Sequence, residues 1–280
     1  MSKGNKSMST PYRVSDDTFR HVAGTDSQNK LSSALIKYVK SLEMKKYRTK
    51  DDVFVAEGPK VVGDLMRFSE PRRLIATAEW YEMTGRKLRA CDVVVSADEL
   101  KRVSFLLHPQ QVLALFDIPR EDVDMDICSK ELCLALDRVQ DPGNLGTIIR
   151  IADWFGISTI ICGNDTVDAF SPKVVQATMG SIARVRLVYT DILSLFDKLP
   201  STVPIYATSL TGENIYTQQL SNTGIIVMGN EGRGISPKLE KYVTHKLHIP
   251  SFPPDCTTSE SLNVGVATAI AVSEFRRRKK

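Results

Sequence analysis

Histidine is scarce in this 280-residue sequence: His21, His108, His245 and His248 are the only four, and none stands at ligand spacing to a cysteine pair. A structural or catalytic zinc is therefore not expected. The five cysteines, Cys91, Cys128, Cys133, Cys162 and Cys256, are scattered without CxxC pairing, and the opening MSKGNKSMST lacks the apolar core of a secretory signal. Both point to a reducing, cytoplasmic compartment. No apolar run approaches the length that spans a bilayer, so a soluble globular protein is expected.

What the sequence does have is length and unevenly placed charge. At 280 residues the chain exceeds the usual size of one domain, which predicts two, each with its own core. The net charge is only +4, yet residues 1–50 hold 11 Lys/Arg against 4 Asp/Glu, and the chain ends in RRRKK. Clustered cations attract phosphate backbones. The same clusters also occur as solvated tails and helix faces, and charge alone does not choose between the two.

Residues 1–29 are polar and aperiodic and read as a mobile tail. A first, smaller α/β unit is expected over 30–120. In LSSALIKYVKSLEMKKYRTK the apolar Leu31, Leu35, Val39 and Leu42 recur at helical spacing. DVFVAEG reads as a short strand, Pro59 opens a helix through about Phe68, and RRLIATAEW and CDVVVSADEL are further strand candidates. HPQQVLALFDIP ends this unit, and the acidic stretch 121–131 reads as a linker.

Over 132–280 the pattern changes to alternating strands and helices. ELCLALDRV, STIIC, RVRLVY, PIYATSL, TGIIVMG and HKLHIP read as strands. NLGTIIRIADWFG, SPKVVQATMGSIA, DILSLFDKL, SPKLEKYV and a long segment from about Ser261 read as helices. This is the grammar of an α/β domain with a mostly parallel sheet and helices on both faces. Such sheets bind ligands beyond the carboxyl ends of their strands. Three polar or glycine-rich loops follow strand ends there: QDPGNLG, GNEGRG and SFPPDCTTSESLN.

In GNEGRG, Gly229, Gly232 and Gly234 permit positive φ or a close backbone approach. Their spacing is neither a dinucleotide fingerprint nor a phosphate-binding P-loop. Glu231 is either a helix-dipole cap or a carboxylate that holds a hydroxyl or amine of a ligand. In DPGNLGTIIR, Asn144 and Arg150 are offset by about 120° around a helix. Arg150 interrupts an apolar stretch, as an internal salt bridge or as a phosphate or carboxylate clamp. In SESLNVG, Ser261 reads as the N-cap of the last helix and Asn263 as a turn residue, unless both line a ligand pocket.

DPGNLGTIIRIADWFG, IIVMGNEGRGIS and ESLNVGVATAIAVSEF, in that order within residues 137–275, resemble the three motifs of the SpoU/TrmH class of SPOUT RNA methyltransferases. The N-terminal unit is similar, through FVAEGPKVV and VSFLLHPQQVLALF, to that class's substrate-binding domain, a ribosomal-protein-like α/β fold. The resemblance implies a deep trefoil knot in the C-terminal domain, S-adenosylmethionine bound in the knot, a homodimer, and no metal. By the same resemblance the backbone around Gly229, Gly234, Ile249 and Leu262 holds the cofactor. Asn144, Arg150, Glu231, Ser261 and Asn263 match catalytic and site-shaping positions. Ser261 and Asn263 would line the pocket where cofactor and ribose meet, with Leu262 and Val264 anchoring that turn in the core.

The implied reaction is methyl transfer to a ribose 2′-hydroxyl. Large-subunit rRNA is expected over tRNA, because family members acting on tRNA can lack the N-terminal domain. A guanidinium stays protonated near neutral pH, so Arg150 is expected to clamp the target phosphate and stabilise the developing alkoxide while the proton passes to phosphate or water. Two departures from the family pattern stand out. Gly265 replaces the usual serine, which would loosen the helix start, and the loop Ser251 to Glu260 is long and stiffened by Pro253 and Pro254. They prompt a rival reading, a non-catalytic RNA-binding protein on the same scaffold.

Overall fold

The first helix begins where the Ser32 hydroxyl accepts from the Leu35 amide, and α1 runs Ser33–Ser41. The structure, a computed structural model, describes residues 30–120, 124, 126–253 and 261–277. The tail 1–29 and residues 254–260 of the third polar loop, including Pro254 and Cys256, lie outside them. Periodicity predicts one helix over 31–50, but there are two. Buried Arg48 of α2 (Lys45–Asp51) turns back and donates to the carbonyls of Leu42 and Glu43 at 2.6 and 2.7 Å. It thereby satisfies carbonyls that a continuous helix would bond itself.

The chain divides into two compact units, Met1–Arg120 with Phe170–Pro172, and Glu121–Ala169 with Lys173–Lys280. After α2 the first unit continues with β1 (Val53–Glu57), α3 (Pro59–Leu65), β2 (Arg73–Ala76), α4 (Ala78–Thr84), β3 (Val93–Val94), α5 (Ala97–Val103) and β4 (Val112–Asp117). The strands form one sheet in the order β1-β4-β2-β3, antiparallel at β1·β4 and β2·β4 and parallel at β2·β3. RRLIATAEW is a strand only to Ala76, because Thr77 caps α4. CDVVVSADEL is a strand only at Val93–Val94, because Ser96 and Glu99 close a capping box on α5. Leu35, Val39 and Leu42 pack with Val55, Leu113 and Leu115 of the sheet.

Glu57, at the end of β1, is buried. Its carboxylate accepts from the Ser104 hydroxyl and from the Phe105 amide, the latter at 2.8 Å. Burial pushes this carboxyl above its ordinary range, against the pull of those two bonds and of Lys40. A folded-state pKa above the unfolded one gives stability that is complete below the unfolded pKa and lost as pH rises through the folded value. Glu57→Gln is therefore expected to flatten the fall in stability above about pH 4–5, measured by urea unfolding across a pH series. An unchanged slope would assign that fall to another group.

The second unit contains α6 (Ile127–Lys130), β5 (Leu132–Leu136), α7 (Pro142–Trp154), β6 (Thr159–Gly163), all of α8 (Pro172–Ala177) but its first residue, a 3-10 turn Ser181–Ala183, β7 (Arg186–Thr190), α9 (Ile192–Phe196), β8 (Ile205–Asn214), β9 (Gly224–Met228), α10 (Pro237–Glu240), β10 (His245–His248) and α11 (Val264–Arg277). All pairings in its sheet are parallel, in the order β10-β8-β9-β5-β6-β7. The alternation read from the sequence is thus present. The stretch read as a linker ends in α6, whose Cys128 is buried in one core with Cys133 and Ala135, so its last residues belong to this unit.

β5 and β9 are buried along their whole length, as befits central strands covered on both faces. α9 and α10 share a core with Cys133, Ala135, Ile225 and Val227. Strand alternation turns Leu132, Leu134 and Leu136 to the other face, and α7 packs on β6 and α11. The chain winds outward from β5 through β6 and β7, crosses to β8, and returns to insert β9 beside β5. Winding reverses between β5 and β9, so the loops after these strands open on the crevice where such sheets bind ligands.

Candidate functional site

The loop after β5 reaches α7 through Asp141, whose Oδ1 accepts the Asn144 amide at 2.7 Å, with Pro142 in the first helical position. This cap sets Asn144 in the first turn of α7. Its Nδ2 donates to Glu231 Oε1 at 2.8 Å, and its Oδ1 accepts from Asn263 Nδ2 at 2.8 Å. One residue from each of the three loops therefore enters a single directional chain, Asn263 to Asn144 to Glu231.

Asn263 has a second task. Its Oδ1 accepts the amides of Gly265 and Val266 at 2.9 and 3.2 Å, and its carbonyl accepts Ala267. Asn263, and not Ser261, is the N-cap of α11, which starts at Val264 rather than near Ser261. Ser261 is exposed and makes no hydrogen bond among the described residues. The expected anchoring is half right: Val264 is buried, but Leu262 is 46% exposed. Gly265 has a packing cause, since a Cβ there would lie 3.1 Å from Thr147 Cγ2 and 3.2 Å from Asn263 Oδ1. Glycine thus lets α11 approach α7 while the cap stays closed, and the helix start is not loosened.

Arg150 lies on the exposed face of α7 and makes no hydrogen bond or ion pair among the described residues. The helix turns Leu145, Ile148, Ile149 and Ala152 inward. The apolar neighbours of Arg150 in sequence are therefore not its neighbours in space. The salt-bridge alternative finds no partner among the described residues, and the guanidinium is available to an anion.

The glycine loop after β9 closes on itself. Asn230 and Gly234 exchange backbone hydrogen bonds at 3.0 and 2.9 Å, and a Cβ on Gly229 would lie 2.3 Å from the Gly234 carbonyl carbon. Gly229 is required by the loop's own closure. The amides of Gly232 and Arg233 both donate to Asn230 Oδ1 at 3.1 Å. With these four amides engaged within the loop, no phosphate cradle is formed there, in keeping with the missing nucleotide fingerprint. Gly229→Ala is expected to destabilise the protein by about 1–3 kcal/mol, the usual range for overpacking. A wild-type urea midpoint would show that the loop opens freely.

Sequence reasoning passed over Asp137, Arg138, Asn230 and Asp141. Asp137 is buried, and its carboxylate accepts the Ser236 amide at 2.6 Å and Arg138 Nε at 3.1 Å, tying the end of β5 to the exit of the glycine loop. Asn230 Nδ2 donates to the Arg138 carbonyl at 3.0 Å and to Glu231 Oε2 at 3.3 Å. Asn230 could have been found by its turn chemistry, since asparagine side chains bond backbone amides two residues on. Asp137 and Arg138 carried no signal beyond the polar end of an apolar run.

Past β10, half-buried Ile249 and exposed Leu262 offer apolar surface. Among the described residues no three His, Cys, Asp or Glu are grouped to hold a metal ion. No helix among them is long and apolar enough to cross a membrane.

Comparison with known proteins gives a consistent picture. Residues 131–273 match the SpoU rRNA Methylase family, and residues 34–114 match the MRM3-like substrate binding domain. The chain is 31% identical over 244 residues to the 23S rRNA (guanosine(2553)-2'-O)-methyltransferase RlmP of Bacillus subtilis (strain 168), covering 86% of this chain and 95% of that protein. A solved TrmH-family structure from Porphyromonas gingivalis is 41% identical with a TM-score of 0.79, covering 89% of this chain and 99% of that one. An AdoMet-bound rRNA methyltransferase from Sinorhizobium meliloti is 31% identical with a TM-score of 0.78, covering 90% and 97%. With a family match across half its length and a relative aligned over most of both chains, this protein belongs to the SpoU rRNA methylase family.

Proposed function

We propose that the protein is an S-adenosylmethionine-dependent methyltransferase acting on a ribose 2′-hydroxyl of large-subunit rRNA. The observation that carries this reading is the chain Asn263–Asn144–Glu231, formed from three loops at the reversal of strand winding in a chain of this family. The rRNA relatives named above and the match over 34–114 support rRNA as the substrate and residues 30–120 as its binding domain, with 132–280 as the methyltransferase domain.

The crevice fits the cofactor. Ile249 and Leu262 offer apolar surface for a flat base, beside the backbone of Gly229 and Gly234. When bound, S-adenosylmethionine supplies an electrophilic methyl group. Asn144 and Glu231 orient the groups around the reaction centre. Arg150, free of partners among the described residues, clamps the target phosphate and stabilises the alkoxide as the 2′-hydroxyl proton leaves to phosphate or water. Ser261 lines the same pocket from the segment before α11.

Two features support the rest of the family architecture. The β8–β10 register jumps from Lys246↔Ala207 to Leu247↔Glu213, and a Cβ on Gly212 would lie 2.7 Å from the backbone of Leu247. We take this close approach of the β8 segment to β10 as support for a trefoil knot. Phe155, Tyr216, Ala269, Ile270, Ser273 and Glu274 line a shallow cavity, and Trp154 of α7 and Val266 of α11 are 85% and 49% exposed. Exposed apolar side chains on α7 and α11 suit a homodimer.

The test is transfer of tritiated methyl from S-adenosylmethionine to unmodified rRNA and tRNA transcripts, followed by alkaline hydrolysis. Label in alkali-resistant dinucleotides from rRNA is expected. Label in tRNA alone would move the substrate, and neither label nor S-adenosylhomocysteine binding would favour the non-catalytic scaffold.

A further inference from the structure

We propose that Asn230 is a positioning residue for the methyl transfer reaction, acting through the carboxylate of Glu231. Four hydrogen bonds use the full capacity of its side-chain amide. Oδ1 accepts the amides of Gly232 and Arg233, each at 3.1 Å, and Nδ2 donates to the Arg138 carbonyl at 3.0 Å and to Glu231 Oε2 at 3.3 Å. The same side chain therefore closes the glycine loop, joins it to the end of β5, and holds one oxygen of Glu231.

The other oxygen of Glu231 is held by Asn144 at 2.8 Å. With one donor on each oxygen the carboxylate cannot rotate freely, and each oxygen keeps a lone pair for a hydroxyl or amine of the bound reactants. The Arg138 end of the tie is itself under constraint. Arg138 has a φ of +61°, a conformation that non-glycine residues hold only where surrounding structure enforces it. Its Nε is held by Asp137, whose other oxygen takes the Ser236 amide. Asn230 thus links a strained, braced carbonyl to the carboxylate. The arrangement is pre-formed, so no ordering is left for the moment of reaction.

This inference rests on the proposed methyltransferase reading, and its test separates the two. Asn230→Asp keeps the acceptor for the Gly232 and Arg233 amides, removes both donors, and sets a second carboxylate against Glu231. In the tritium assay its kcat is expected to fall roughly 10- to 100-fold, the scale of one hydrogen bond to a charged group, with KM for RNA and S-adenosylhomocysteine affinity within about twofold. Asn230→Ser, which adds no charge, is expected to lose less in the same direction. In a Glu231→Gln background either substitution is expected to add little, because residues acting through one group are not additive. Losses that multiply in that background, or that accompany a matching loss of cofactor affinity, overturn the proposal. An inactive wild-type protein would count against the methyltransferase reading itself.

Discussion

Replacing Arg150 by alanine is expected to lower methyl transfer roughly 10²- to 10³-fold, the usual size of one preorganised electrostatic contact in a transition state. The effect on stability is expected to stay within about 0.5 kcal/mol. Both follow from one observation: the guanidinium is exposed on α7 and bonds nothing among the described residues. No hydrogen bond or ion pair among the described residues uses it, so its contribution is expected to be made with a ligand. Arg150→Lys separates charge from shape. A lysine keeps the charge but loses the planar donor fork, and turnover near wild type in that variant would count against a bidentate clamp. A large fall in Tm for Arg150→Ala would instead place the residue in the fold.

Asn144→Ala is expected to be nearly as damaging to turnover and more damaging to the fold. Truncation strips a donor from Glu231 and an acceptor from Asn263 at once. Leaving such groups unpaired costs about 1–3 kcal/mol where they are shielded from water. Unlike Arg150→Ala, the variant should therefore lose stability as well as roughly 100-fold in kcat. Asn144→Asp is the sharper experiment. It still accepts from Asn263, but it presents an oxygen to Glu231 where the native side chain presents an N–H. Like charges at hydrogen-bond range oppose one another, so the aspartate variant is expected to be no better than alanine. Near-normal turnover for Asn144→Asp would rule out donation to Glu231 as the role of this side chain.

Much of the fold was legible because hydrophobic period is a local property. The runs ELCLALDRV and TGIIVMG became the strands β5 and β9, each buried along its whole length. Where reading failed, a side chain from another turn intervened. One helix became two because Arg48 bonds the end of α1, and strand candidates were cut short where Thr77 and Ser96 cap helices. The same competition moved the cap of α11 from Ser261 to Asn263, since both residue types serve equally well in isolation.

By itself the sequence determined the alternating elements, the three loops, and the presence in them of Asn144, Arg150, Glu231, Ser261 and Asn263. Only the tertiary structure decided which of these meet. It joined Asn144, Glu231 and Asn263 and left Ser261 and Arg150 outside that chain, because Asn144 and Asn263 are 119 positions apart and only the packing of α11 on α7 makes them neighbours. It also decided that the glycine loop spends its amides on Asn230 rather than on a phosphate. Hydrogen-bond partners are chosen by distance in space, and a sequence states only distance along the chain.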